Sequence, residues 1–202
     1  MFKINSLALV VFGSAIAVVP AFSQQEGEFA RSEVSVQAFG SFVKSTTDNG
    51  VQQTATNSGG VLSSYRYFFS YSHGVEVNYG YSLNTQSYGL AEGPLGVKSN
   101  QHEVTAAYVY RRSIRHFSPF VEAGVGGLVF DPNGSVSGAS TQTRAAFVYG
   151  AGADFNLTRR VFLRAEYRGL VYNAPTFDLA AAAGLDRVTH RAEPSIGFGY
   201  RF

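Results

Sequence analysis

Apolar and polar residues alternate in eight stretches of about ten residues, at positions 33–43, 61–71, 75–84, 102–111, 119–130, 144–155, 161–171 and 191–202. In the third, Val75, Val77, Tyr79, Tyr81 and Leu83 alternate with Glu76, Asn78, Gly80 and Ser82. In the seventh, Val161, Leu163, Ala165 and Tyr167 alternate with Arg164, Glu166 and Arg168. Period 2 is the signature of a strand with two unlike faces, and about ten residues is the length a tilted strand needs to cross a bilayer. The intervening segments alternate in length. Residues 44–60, 85–101, 131–143 and 172–190 are long and polar, whereas 72–74, 112–118 and 156–160 are short. Long loops at one end and short turns at the other are the pattern of an up-and-down barrel in a membrane.

The ionisable residues sort by face. Glu33, Glu76, Glu103, Glu122, Asp154, Glu166 and Glu193 share the polar side with Arg66, Arg111, Arg144, Arg164, Arg168, Arg191 and Arg201. No Asp, Glu, Lys or Arg falls on the aromatic side of any stretch. A cation facing lipid at the bilayer midplane costs about 2–4 kcal/mol, so its absence there suits strands that show lipid one face. Equal numbers of acids and arginines suit a narrow interior, where a buried ion must be paired. We expect a lumen ion network, with Arg66 against Glu76, and Arg164 and Arg168 against Glu193. A soluble, secreted lipocalin-like binder would reverse the two faces. Gly and Ala on the charged side, where bulky Arg and Glu need room, argue for lipid outside.

The chain ends fit export and closure. A lone cation in the first five residues, an apolar core from Leu7 to Val19, and small residues at Ala21 and Ser23 form a secretory signal peptide. Cleavage after Ser23 is expected, leaving residues 24–202 as one domain. At the other end Ile196, Phe198, Tyr200 and Phe202 share one side of the last strand, and the chain stops on an aromatic residue.

Composition excludes several chemistries. There is no Cys, hence no disulfide framework and no thiolate metal site or nucleophile. Outside the signal segment no apolar run approaches the roughly 20 residues of a membrane helix. A formal net charge of +2 offers nothing to a nucleic acid.

Together these features resemble the small eight-stranded outer-membrane β-barrels of Gram-negative bacteria, the OmpA-like transmembrane domain family. The likeness covers the whole chain after the signal peptide and is carried by strand number, loop alternation, charged interior and terminal Phe. Loose matches such as Ser118-Pro-Phe-Val-Glu-Ala-Gly-Val-Gly and Arg164-Ala-Glu-Tyr-Arg add to it. It implies an all-β fold, an eight-stranded antiparallel up-and-down transmembrane β-barrel, with termini in the periplasm. It further implies an assembly signal in Phe198, Tyr200 and Phe202 that is read by the barrel assembly machinery. The expected partners are outer-membrane lipids, that machinery and an extracellular partner of the loops, with the barrel a monomer. The peptidoglycan-binding domain of full-length OmpA has no counterpart here.

Other motifs change little. Gly124-Val-Gly126-Gly127 and Gly150-Ala-Gly152 sit within strands and precede no helix, so they read as slots for lumen side chains rather than phosphate loops. Pro194 has no N–H to give a closed barrel and predicts a bulge or a frayed pairing near the outer rim. His73, His102, His116 and His190 are the only route to an enzyme acting on lipid A, and none has the Ser spacing of the deacylases of that membrane; His190 is the best of them. No spacing suggests a metal or another cofactor. Arg111, Arg112, Arg115, Arg159 and Arg160 cluster in or beside the short turns, where they are either solvated or against lipid phosphates. Residues 177–185 could form a helical turn. The expected function is structural or adhesive and non-enzymatic, with a narrow gated small-ion pore as the alternative.

Overall fold

The computed structural model describes residues 30–48, 51–90, 93–133, 140–177 and 187–202. The expected signal peptide, with Ala21 and Ser23, lies outside them, as does residue 178 onward of the expected helical turn. Ten strands follow in order: β1 (Ser32–Val43), β2 (Thr46–Asp48), β3 (Val51–Ala55), β4 (Ser58–Phe68), β5 (His73–Leu90), β6 (Gly93–Arg111), β7 (Phe117–Pro132), β8 (Gln142–Asn156), β9 (Val161–Asn173) and β10 (Val188–Arg201). Eight of them, β1 and β4 to β10, close into an antiparallel barrel, because β5 pairs β6 and β1 pairs both β4 and β10. Closure satisfies every edge, which a sheet in hydrocarbon must do. The last link is the C-terminal residue. Ser32 and Phe202 exchange backbone hydrogen bonds of 3.2 and 2.9 Å, one step beyond the Glu33–Arg201 pair.

Two long segments differ from the sequence expectation. Residues 85–101 are mostly strand, since β5 and β6 stay in register up to Leu90 opposite Gly93. Residues 44–60 hold β2 and β3, with Gln52–Ala55 pairing Gln86–Gly89. These stretches are largely polar and lack the regular apolar alternation that marks the spanning strands, yet backbone pairing needs none. The result is a sheet of β2, β3, β5 and β6 standing beyond the membrane at the long-loop end. At the other end the second spanning strand stops at Phe68 rather than residue 71, as Phe69 and Ser70 both donate to the carbonyl of His73 in a tight turn.

Pro194 produces the expected fault in pairing, but in the middle of β10 rather than near the outer rim. The β1–β10 ladder runs from Glu33 to Phe39 and resumes at Phe42, with Gly40 and Ser41 unpaired opposite Pro194 and Glu193. The other neighbour is undisturbed, Pro194 lying opposite Tyr167 of β9.

The two faces are as the lipid-outside reading requires. Val36, Val75, Val77, Val121, Val125, Ile196 and Phe198 are exposed on the outer surface, and Tyr67, Tyr108, Tyr110 and Tyr200 gather toward the short-turn end. The soluble-barrel alternative is thereby overturned, for it needs the apolar set inside. Beyond the membrane the rule relaxes, and Lys98 and Asp131 lie exposed on the extended ends of β6 and β7. Glycines on the inner face make room for bulk. A Cβ at Gly150 would stand 3.0 Å from the Glu122 side chain, and one at Gly152 would stand 2.6 Å from the Phe120 ring. At Gly197 the obstacle is backbone, with a Cβ 2.0 Å from the carbonyl oxygen of Val36 across the closing seam. Gly197→Val should therefore impair closure, lowering stability by about 1–3 kcal/mol. Urea unfolding in lipid, followed by heat-modifiable gel mobility, measures this, and a wild-type midpoint would refute it.

Candidate functional site: the charged lumen

The interior is a plug. Arg66, Arg164, Arg168 and Arg191 are the largest fully buried side chains, beside Phe68, Phe130, Phe162, Leu62, Leu128 and Leu170. All seven acids expected to face inward are buried: Glu33, Glu76, Glu103, Glu122, Asp154, Glu166 and Glu193. Because β-strand side chains alternate, each inward residue meets inward residues of its two neighbours at nearly one level. Register therefore decides the pairing.

Two ionic clusters result. Toward the short-turn end, Arg164 meets Asp154 at 2.7 Å, Glu33 at 3.2 Å and Glu76 at 3.4 Å. Arg201 meets Glu33 at 2.6 Å and Asp154 at 3.3 Å, Arg111 donates to Glu33, and Arg66 donates to Glu76. Toward the long-loop end, Arg168 reaches Glu103 at 2.5 Å and Glu193 at 3.3 Å, while Arg191 reaches the same two acids at 2.5 Å each. Arg168 also donates to Thr105 and Arg191 to Gln101. Glu122 stands between the clusters, 3.7 Å from Arg66 and 3.5 Å from Arg168. Glu166 accepts from Gln37, which in turn accepts from Ser195.

Arg66 thus lies with Glu76, its cross-strand partner in the β4–β5 register, and Arg168 with Glu193, its partner in the β9–β10 register. Arg164 does not reach Glu193. It lies opposite Asp154 on one side and Gly197 on the other, four residues along β9 from Arg168, a distance an arginine does not span. Arg144 sits at the outer mouth, half-buried, donating to Gln142 and Thr176 above both clusters. Arg111, grouped with the turn arginines by sequence, is buried in the lumen.

A second component of the plug is aromatic. Guanidinium carbons lie over inward-facing rings: Arg111 over Phe68 at 3.7 Å, Arg66 over Phe120 at 4.1 Å, and Arg201 over Phe162 at 4.4 Å. Arg164 lies between Phe120 and Phe162, about 5 Å from each (5.1 and 5.0 Å). A flat cation stacks on a ring face with an in-plane edge still free for carboxylates. Phe68, Phe120 and Phe162 escape a reading that assigns aromatics to the lipid side. The signal was present, since each takes the same parity as a nearby lumen ion, Phe68 two residues from Arg66, Phe120 two from Glu122 and Phe162 two from Arg164.

The histidines point elsewhere. His102 and His190 share hydrogen bonds of 2.9 Å with the outward tyrosines Tyr79 and Tyr149, and His73 pairs with Tyr108. These are contacts on the outer wall, where a half-polar ring meets the membrane interface. Among the described residues one group of carboxylates could share a cation: Glu76, Glu122 and Glu166, with oxygens mutually within 4.8 Å. Arg66 and Arg164 already stand within ion-pair distance of Glu76, and Arg66 and Arg168 of Glu122, so guanidinium charge already balances two of these three carboxylates. Above the upper cluster a small cavity bounded by Val43, Lys44, Gln86, Tyr172 and Thr189 has a volume near 10 Å³, room for about one water.

Replacing Arg164 by Met should cost about 3–5 kcal/mol, because Asp154 and Glu33 would lose a buried partner. Chemical unfolding in detergent micelles reads this loss. A change under about 1 kcal/mol would mean that the surviving arginines re-pair the acids unaided.

The profile of the outer membrane protein beta-barrel domain family matches residues 8–202. No curated protein sequence matches the chain. Among solved structures, OprG from Pseudomonas aeruginosa is similar at 19% identity and a TM-score of 0.61, over 89% of this chain and 99% of that one. Neisserial surface protein A is similar at 18% identity and a TM-score of 0.57, over 85% and 97%. Ail of Yersinia pestis, the attachment invasion locus protein, is similar at 22% identity and a TM-score of 0.50, over 87% and 100%.

Proposed function

Because the chain belongs to the outer membrane protein beta-barrel domain family, we propose that it acts as a non-enzymatic membrane anchor that presents an ordered surface platform to extracellular partners. The observation that carries this reading is the plug. An eight-stranded barrel has an interior just wide enough for side chains, and here it is filled with arginine, carboxylate and phenylalanine whose largest members are fully buried. A filled lumen leaves the long-loop end as the surface on which partners can act. That end carries more than loops, since β2 and β3 pair onto the extended β5–β6 hairpin and hold a sheet clear of the membrane. In this reading residues 1–23 are removed after Ser23, the short turns and both termini face the periplasm, and the barrel is a monomer.

Phe198, Tyr200 and Phe202 serve as the assembly signal. Supporting this, the Tyr200 and Phe202 rings stack at 6.3 Å on the outer wall, beside the strand that must be closed last. Deleting Phe202 should slow the appearance of the compact, heat-modifiable band by roughly tenfold when the barrel assembly machinery is supplied, while spontaneous refolding in detergent changes little. Equal slowing in both settings would reduce Phe202 to an ordinary closing residue.

The second reading, conduction of small ions through rearranged ion pairs, draws on Glu122. Its carboxylate oxygens make no hydrogen bond, and it stands loosely between the two clusters. Planar-bilayer recording separates the two readings. The anchor reading expects no discrete steps from the wild-type barrel; steps that disappear in Glu76→Gln or Arg66→Met would establish the pore instead. Partner binding should survive those substitutions and be lost when residues 85–97 and 46–55 are replaced together by short linkers.

A further inference from the structure

We propose that the turn arginines Arg112, Arg115, Arg159 and Arg160 form one docking site for the phosphate groups of anionic phospholipids. The two turns that carry them are joined. The backbone N–H of Asn156 donates to the carbonyl of His116 at 2.9 Å, and its side-chain amide donates to the carbonyl of Arg115 at 3.2 Å. Four exposed guanidinium groups are thereby gathered beside β7, β8 and β9. Residues 112–116 and 157–160 contain no acid. Asp154 and Glu33, the acids of the lower cluster at this end, are buried and already engaged by Arg164, Arg201 and Arg111. The opposite end differs, its loops mixing Asp48, Glu92, Asp131, Asp178 and Asp186 with Lys44, Lys98 and Arg187.

Two observations place the patch at a membrane surface rather than in open water. Arg160 donates to the hydroxyl of Tyr200 at 3.3 Å, and Tyr200 is an exposed ring of the lipid-facing wall, so this guanidinium is held at the depth of the aromatic girdle. Ile114 and Leu157, at the two turn tips, are exposed apolar residues set among the arginines. Apolar tips flanked by cations match the boundary between headgroup and acyl chain, where arginine meets phosphate bidentately. The identity of the leaflet rests on the topology proposed above, which puts these turns against the phospholipid side.

The test uses the full barrel in nanodiscs of phosphatidylcholine alone or mixed with phosphatidylglycerol, comparing wild type with Arg112→Gln/Arg115→Gln/Arg159→Gln/Arg160→Gln. Lys44→Gln/Lys98→Gln serves as the control at the other end. Native mass spectrometry should show phosphatidylglycerol retained by wild type and by the control. Retention should fall about tenfold or more in the quadruple variant. The midpoint of heat-modifiable unfolding should rise in phosphatidylglycerol for wild type and be the same in both lipids for the quadruple variant. Undiminished retention by that variant would overturn the proposal. So would a loss of stability equal in both lipids, which would assign the arginines to partners within the chain. Stabilisation by lipid A alone would overturn the phospholipid assignment. Nanodiscs present one composition in both leaflets, so these results stand apart from the topology, which protease accessibility of the loops on intact cells reads separately.

Discussion

Pairing of buried charge is the constraint on which the rest of this barrel depends. Six arginines and seven carboxylates stand in a lumen where four of the arginines are shut away from water, and an unpaired ion there would cost several kcal/mol. Register supplies the partners. A one-residue slip of β4 against β5 would carry Arg66 to the lipid face and leave Glu76 inside with only the more distant Arg164. The ion pairs thus specify which strand neighbours which, and at what offset, more than they add net stability. The shared acids strengthen this, because Glu33 serves Arg111, Arg164 and Arg201 from three different strands.

The aromatic layer explains how so much charge fits. Carboxylates approach a guanidinium in its plane, leaving two flat faces that must touch something apolar in so narrow a space. Phe68, Phe120 and Phe162 supply those faces from β4, β7 and β9, and the glycines opposite them make room. Gly152 faces Phe120, and Gly199 faces Phe162 so closely that a Cβ would lie 2.1 Å from its ring. Charge, ring and glycine thus form one packing solution, and enlarging a glycine disturbs the ionic network through the ring it supports.

The eight spanning strands were legible because alternation is imposed wherever one face meets lipid and the other meets charge. Sequence indicated Arg66 beside Glu76 and Arg168 beside Glu193, as each pair sits on adjacent strands at matching distance from a turn. It misplaced Arg164, since the β9–β10 register sets Glu193 opposite Arg168 and leaves Arg164 four residues along, opposite Gly197 and Asp154. It also overlooked the inward phenylalanines, because ring type alone does not tell lipid from cation as a neighbour. The extension of β5 and β6 beyond the membrane was illegible for a different reason. Beyond the bilayer the outer face meets water rather than lipid, and the buried inner face is largely polar (Asn84, Gln86, Ser99), so hydropathy loses its alternation and backbone pairing reveals the strands.

These parts divide the molecule by what each is free to change. Lumen residues are tied to partners on other strands, so single substitutions there leave charges or rings stranded. Outer-wall residues need only be apolar or, near the girdles, amphipathic, a requirement many sequences meet. The sheet of β2, β3 and the ends of β5 and β6 answers to neither condition. It is fixed by main-chain hydrogen bonds, which do not depend on side-chain identity, above a plug that holds its base rigid. A surface set apart from the ionic network can change without stranding a buried charge, and so is suited to acquiring a binding partner without endangering the fold. The proposed interaction role rests on this division between an interior tied by paired charge and a sheet set apart from it.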